Sequence, residues 1–405
     1  MILRNIKKLH KNTSYMKCIA SRCLNQKTTD NNEFVNKDLS EYLSNDPPER
    51  PIDPEFPSDY EEYRMQEWLK YNKIKRSQEK KVKRPLIDPR DTSIILFPGQ
   101  GAQFVGMGRE TLNFPNVRNM FEAASTRMGK DLLKLCLDGP IEELNKTENC
   151  QPAVFLCSLA AVEKLKNLEP YAIEKCIATA GFSLGEITAL VFSGAFSFET
   201  GLQVVINRAK AMQKASEIIP SGLARVFLKS NSKLGFACKT ARDYCKDKLK
   251  IENPVCGVAN YLFPECKVIG GNIEALQFIK DNRREFKLLG VQMLHVSGAF
   301  HTELMSSAQE DFKNTLNHVK IDKPIVHTYS NIEVSPYKKV NDIKKLLVKQ
   351  LVKPVKWEQI MHTIYTRDKT EEFPDTFELG PGKQLGSILK STNRRAFSYY
   401  KSINI

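Results

Sequence analysis

Hydrophobic and polar positions change rhythm several times along this chain, and each change predicts an element. The stretch 30–58 is polar and then proline-rich (Pro47, Pro48, Pro51, Pro54, Pro57), which is the composition of a linker. Residues 59–84 are highly charged, with Tyr60, Tyr63, Trp68, Tyr71 and Ile74 at loosely helical spacing, and predict an exposed helix. Ser93-Ile94-Ile95-Leu96-Phe97 is a short continuous apolar run, as expected of a strand buried on both faces. Helical spacing follows over 117–128 and 141–144. It resumes with a start at Gln151-Pro152, running through Val154, Leu156, Leu159, Val162 and Leu165. A small apolar run (Cys176, Ile177, Ala178) leads through a turn into the helix-compatible Ile187, Ala189, Leu190, Val191 and Phe192. A further helix is predicted over 200–216.

From residue 222 to 292 the rhythm becomes strand (223–228), helix (234–249), strand (255–262), strand (266–270), helix (272–286), strand (292–296). That β-α-β-β-α-β order is the ferredoxin-like plan. Alternation then resumes with a strand at 325–330, a helix at 342–352 ended by Lys353-Pro354, a helix at 357–365, a strand at 376–379 and a last helix. The expected architecture is therefore an α/β core with a parallel sheet, built from 91–221 and 293–405. A smaller ferredoxin-like subdomain, 222–292, is inserted in it, and a linker and charged helix at 30–90 precede it.

At 405 residues and 41% hydrophobic content the chain can bury a sizeable core. No apolar run approaches the roughly 18–20 residues that span a bilayer, so no transmembrane helix is expected. The ten cysteines show neither C-x-x-C nor Cys/His ligand spacing. This argues against a zinc site or a disulfide framework, and leaves reduced, mostly buried thiols and no metal as the expectation.

The net charge of +14 raises nucleic acid as a partner. Its distribution weakens that reading. Arg4, Lys7, Lys8, Lys11, Lys17, Arg22 and Lys27 lie in residues 1–29, which hold no Asp or Glu, and without these seven charges the balance is +7. No RNP-like, KH or zinc-finger signature is found. With Ile2, Leu3, Ile6 and Leu9 interleaved, the basic, hydroxyl-containing, acid-free start has the composition of a mitochondrial transit peptide; a disordered basic tail is the alternative.

The sharpest chemical signal is Gly181-Phe182-Ser183-Leu184-Gly185, a G-x-S-x-G turn between a predicted strand and helix. That context lifts a serine above a sheet as a nucleophile, and the whole suggests an α/β-hydrolase-like core. Ser183-x-x-Glu186 also fits a capping box, in which the serine only caps its helix. A serine needs a base. Of six histidines, His10 falls in the basic start, His318, His327 and His362 lie in helical or strand patterns, and His295 belongs to a strand leading inward. His301 stands at the mouth of the loop after that strand and is the candidate base. A second glycine-rich loop, Pro98-Gly99-Gln100-Gly101-Ala102-Gln103, follows the first strand. It is neither a P-loop nor a G-x-G-x-x-G turn.

Leu96 to Gln103, Gly181 to Glu186, Arg208-Ala209-Lys210-Ala211-Met212-Gln213, Gly298-Ala299-Phe300-His301 and Glu378-Leu379-Gly380-Pro381-Gly382 together resemble the successive motifs of the malonyl-CoA:acyl carrier protein transacylases. The resemblance covers about residues 91–405, in the family's order. Phe182, and the stretch from Asn253 to Pro264, are most similar to the animal mitochondrial branch. The wider family usually has histidine at the position of Phe182.

The resemblance implies Ser183 as nucleophile, His301 as general base and acid, and the backbone carbonyl of Gln350 as the group that orients the imidazole. It implies the N–H groups of Leu184 and Gln100 as the oxyanion hole, Arg208 as partner of the malonyl carboxylate, and Gln151 as a pocket residue. Gly99 and Gly101 would let the backbone approach substrate, or simply serve a tight turn. Malonyl-CoA and the phosphopantetheine arm of acyl carrier protein are the implied substrates, with no cofactor, a monomeric enzyme, a mitochondrial matrix location and a supply role for fatty acid synthesis. A planar guanidinium holds a carboxylate bidentately, so Arg208 would select malonyl over acyl groups without a charge. Arg208 as an ordinary exposed helix arginine is the alternative. A serine hydrolase acting on thioesters shares the nucleophile turn and is the second functional reading.

Overall fold

The computed structural model describes residues 88–367 and 371–405. The segment 1–29 and nearly all of 30–90, with the targeting and charged-helix expectations attached to them, lie outside the described residues. The strands are β1 (Ser93–Phe97), β2 (Cys176–Gly181), β3 (Ser221–Phe227), β4 (Cys256–Phe263), β5 (Cys266–Asn272), β6 (Gly290–Met293), β7 (His327–Tyr329), β8 (Val355–Lys356), β9 (Asp375–Leu379) and β10 (Tyr400–Ile403).

The first sheet has the order β10-β9-β1-β2-β7 and every pairing in it is parallel. β1 lies at its centre with all five residues buried, which is why it reads as an unbroken apolar run. Alternate residues serve opposite faces. Ile95 and Phe97 join the larger apolar cluster, with residues of the helices Thr147–Leu168, Leu184–Phe192 and Phe198–Ser216. Ile94 and Leu96 pack on the other side with Trp357, Ile360, Leu385 and Leu389, from the helices Trp357–Tyr365 and Gln384–Thr392. The result is an α/β fold with a parallel sheet covered on both faces.

The second sheet has the order β6-β3-β5-β4-β8, antiparallel from β6 to β4 and parallel between β4 and β8. β8 comes from beyond residue 292, so this sheet is completed by the rest of the chain. The buried Lys267 of β5 pairs with Glu358 on the helix Trp357–Tyr365 and lies over the Tyr261 ring.

Two local expectations are corrected. The helix expected to start at Gln151-Pro152 begins at Thr147, because the Thr147 N–H is capped by the Gln213 side chain at 3.1 Å, a distant partner that local sequence does not reveal. β6 ends at Met293, and His295 beyond it is exposed rather than leading inward. The edge strand β10 and the helix Ser307–Asn317, which buries only Ala308, Phe312 and Leu316, have patterns too sparse to stand out. No helix among the described residues is long and apolar enough to cross a membrane, and the described cysteines are free thiols.

Candidate active site

The neighbouring strands β1, β2 and β7 carry Gly99, Ser183 and Asn331 just beyond their carboxyl ends, the side of a parallel α/β sheet where ligands bind. Ser183 follows β2 at φ 52°, a conformation costly for a residue with a Cβ and retained here by its surroundings. The turn is tight enough to need glycine on both sides. A Cβ on Gly181 would lie 1.8 Å from the Gly185 backbone, and one on Gly185 would lie 2.2 Å from the Phe97 oxygen. Although Ser183 occupies the N-cap position, its hydroxyl makes no capping bond, so the capping box with Glu186 is not formed. The hydroxyl faces His301 instead, with Oγ 2.8 Å from Nε2.

His301 is 3% exposed and also has a left-handed backbone, φ 64°. Its Nδ1 lies 2.6 Å from the Gln350 carbonyl oxygen. A carbonyl can only accept, so Nδ1 carries the proton and Nε2 is left to accept from Ser183. Burial, and then the nearby Arg208 charge, push the imidazole pKa down to about 3, against the pull of the Gln350 carbonyl. The ring is therefore neutral, with Nε2 unprotonated, across the physiological range.

Arg208, on the helix Phe198–Ser216, is 1% exposed, which removes the surface-arginine alternative. Nη1 donates to Gln151 Oε1 at 2.7 Å; Nη2 donates to Gln350 Oε1 at 2.8 Å and to Ser183 Oγ at 3.1 Å. Nε has no partner. Burial lowers its pKa to about 10, opposed by the charge of Glu186, so the guanidinium stays cationic beside the serine. Gln151 is buried as well, and its Nε2 reaches Gln100 Oε1 at 3.4 Å.

The β1 loop presses on the nucleophile turn, since a Cβ on Gly99 would sit 2.4 Å from the Phe182 oxygen. Gly101 is required for a different reason. Its φ is 105°, and a Cβ there would meet nothing within 4 Å. Among the described residues no protein acceptor is found for the N–H groups of Leu184 and Gln100, which leaves both free to serve a ligand oxygen. Phe182 packs edge-on against Trp357, ring centroids 5.5 Å apart. In the last of the five sequence motifs Glu378 accepts from the N–H groups of Leu385 and Gly386, holding the start of the final helix, and Gly380 backs the β1 loop, where a Cβ on it would lie 2.6 Å from Pro98.

Sequence reasoning missed Asn331. Fully buried just beyond β7, it accepts the Ser183 N–H at 2.8 Å and donates to the Gly181 oxygen at 2.8 Å, clamping the turn from both sides. Its one sequence signal is its position, a polar residue directly after a strand of the parallel sheet. Glu186 and Tyr337 were likewise unassigned to the site, and both are buried against it.

Fold and site are those of an acyltransferase, and a family model described as acyl transferase domain matches residues 94–392. The human mitochondrial malonyl-CoA-acyl carrier protein transacylase is 54% identical over 317 residues, which is 78% of this chain and 81% of the human one. The solved malonyl CoA-acyl carrier protein transacylase from Coxiella burnetii superposes with a TM-score of 0.69 at 27% identity, covering 78% of this chain and 95% of that one. A malonyl-transacylase solved in complex with a type II PKS acyl-carrier protein gives 0.67 at 26% identity, covering 77% and 94%. The chain belongs to the malonyl-CoA-acyl carrier protein transacylase family.

Proposed function

We propose that this protein transfers malonyl from malonyl-CoA to the phosphopantetheine thiol of acyl carrier protein through a malonyl-Ser183 ester. The observation that carries the reading is the line from the Gln350 carbonyl through His301 to Ser183 Oγ, with the Arg208 Nη2 3.1 Å from that same oxygen. His301 Nε2 takes the Ser183 proton as Oγ attacks the thioester carbonyl carbon. The oxyanion that forms is met by the N–H groups of Leu184 and Gln100, the first at a helix start where the dipole favours negative charge. Collapse breaks the C–S bond, and the imidazolium protonates the departing CoA thiolate. In the second half, His301 takes the proton of the carrier thiol, the sulfur attacks the ester, and the proton returns to Ser183 Oγ.

Arg208 receives the malonyl carboxylate. Its positive charge is one cause of the low imidazole pKa, so a carboxylate bound to it partly offsets that push and makes His301 a stronger base for malonyl than for acetyl. An esterase for uncharged acyl groups would give this buried guanidinium no carboxylate to hold. The basic, acid-free residues 1–29 support action in the mitochondrial matrix, where the product supplies fatty acid synthesis. The strand order β6-β3-β5-β4 supports reading 222–292 as a ferredoxin-like subdomain inserted in a hydrolase-like core.

Intact-mass measurement after mixing with malonyl-CoA tests the reading. One malonyl adduct is expected on the wild type and none on Ser183→Ala; an adduct that persists in the variant overturns the mechanism.

A further inference from the structure

We infer that Glu186 is a positioning residue for malonyl transfer, a buried carboxylate that sets the places of Ser183, His301 and Arg208 through Asn331 and Gln350. The inference rests on the function proposed above and concerns a residue to which the sequence offered only a capping role.

Glu186 lies on the first turn of the helix that follows Ser183 and is 1% exposed. Its Oε1 accepts from the Asn331 N–H at 3.1 Å and from the Tyr337 hydroxyl at 2.5 Å. Its Oε2 accepts from Gln350 Nε2 at 2.5 Å. Asn331 in turn holds the Ser183 N–H. Gln350 passes the constraint on in three directions. Nε2 also donates to the Ser183 carbonyl at 2.9 Å, Oε1 accepts from Arg208 Nη2, and its backbone carbonyl fixes the His301 tautomer. Glu186 is also the negative charge that offsets the buried guanidinium.

The polarity of the Gln350 amide is the link on which the argument turns. Glu186 Oε2 and the Ser183 carbonyl both accept from the NH₂ of Gln350, and Arg208 donates to its oxygen, so the carboxylate is the one charged acceptor among the three groups that fix the amide. In Glu186→Gln the new amide oxygen keeps the two donors at Asn331 and Tyr337, so its NH₂ faces the NH₂ of Gln350. A flip of the Gln350 amide would only move the conflict to Arg208 and the Ser183 carbonyl, so the contact is relieved by displacing the Gln350 side chain. Arg208 Nη2 and the Ser183 carbonyl then lose the well-placed amide partner that held them. Protonation of Oε2 creates the same conflict. Burial raises the Glu186 pKa to about 7, against the pull of Tyr337, Gln350, Asn331 and the Arg208 charge. The titratable groups facing the carboxylate are thus Tyr337 and Arg208, while Asn331 and Gln350 are neutral. The anion exists above that pH and is lost below it, and His301 titrates far lower.

The experiment is single-turnover acylation of the full chain by malonyl-CoA and by acetyl-CoA, for wild type, Glu186→Gln and Tyr337→Phe. In Glu186→Gln the preference for malonyl over acetyl should fall roughly ten- to a hundredfold, the scale of a disrupted hydrogen bond to a buried charge. An unchanged ratio overturns the inference, since a merely structural role lowers both rates alike. In the wild type, kcat/KM for malonyl-CoA should decline as pH falls through about 7. Tyr337→Phe removes one donor from the carboxylate, so that limb should move to higher pH with the malonyl preference retained above it. A limb that stays in place overturns the inference even if Glu186→Gln does not fold. Absence of any malonyl adduct on the wild type would instead count against the transferase reading itself.

Discussion

Replacing Arg208 by alanine separates recognition of the malonyl charge from acyl transfer as such. The guanidinium is 1% exposed and reaches Ser183 Oγ at 3.1 Å, so an acyl group on that oxygen carries its distal carboxylate into the space the guanidinium commands. In Arg208→Ala this carboxylate is buried without a partner. Breaking a buried pair in this way costs about 3–5 kcal/mol, or roughly 10²–10⁴ in kcat/KM for malonyl-CoA. Acetyl has no such charge. It loses only the Nη2 contact with the serine, worth roughly tenfold or less. Glu186 loses its counter-charge at the same time, and its pKa rises further, but that change burdens both substrates and largely cancels in their ratio. The malonyl-to-acetyl ratio should therefore drop by at least about tenfold, read as malonyl-enzyme and acetyl-enzyme formation by quenched flow and intact mass. Arg208→Lys should fall between, because a point charge cannot form two parallel bonds to a carboxylate. A ratio unchanged in Arg208→Ala would refute the assignment of Arg208 to the acyl carboxylate, whatever happened to the absolute rate.

Two further outcomes follow from the geometry. His301→Ala should slow acylation of Ser183 by about 10²–10⁴ with both substrates, leaving their ratio nearly intact; a loss confined to malonyl would contradict its role as shared base. Gly181→Ala should fail to reach a stable fold or lose several kcal/mol in denaturant unfolding, since its Cβ would lie 1.8 Å from backbone rather than from a side chain that can move; near-wild-type stability would mean that the turn can relax.

Much of the site was legible in the chain because local rules expose it. The unbroken apolar run of β1 announces a strand buried on both faces, and the glycines around Ser183 announce a turn that no Cβ could enter. Rhythm also located most elements of both sheets. It failed at the start of the helix Thr147–Leu168, where the capping group belongs to Gln213, and at the sparse stripe of Ser307–Asn317.

By itself the sequence determined the glycine-flanked turn at Ser183, most of the strands and helices, and, through five ordered motifs, the family. It could not say which group the Ser183 hydroxyl would meet. The hydroxyl could face its own helix or a histidine 118 residues away. Tertiary structure alone decided it, together with the burial of Arg208 and the parts played by Asn331, Tyr337 and Glu186. The physical reason is that hydrogen-bond partners and burial belong to the space between elements. Glu186 shows this most plainly: three residues after a serine it has the spacing of a cap, and only the packed chain turns its carboxylate toward Asn331, Tyr337 and Gln350.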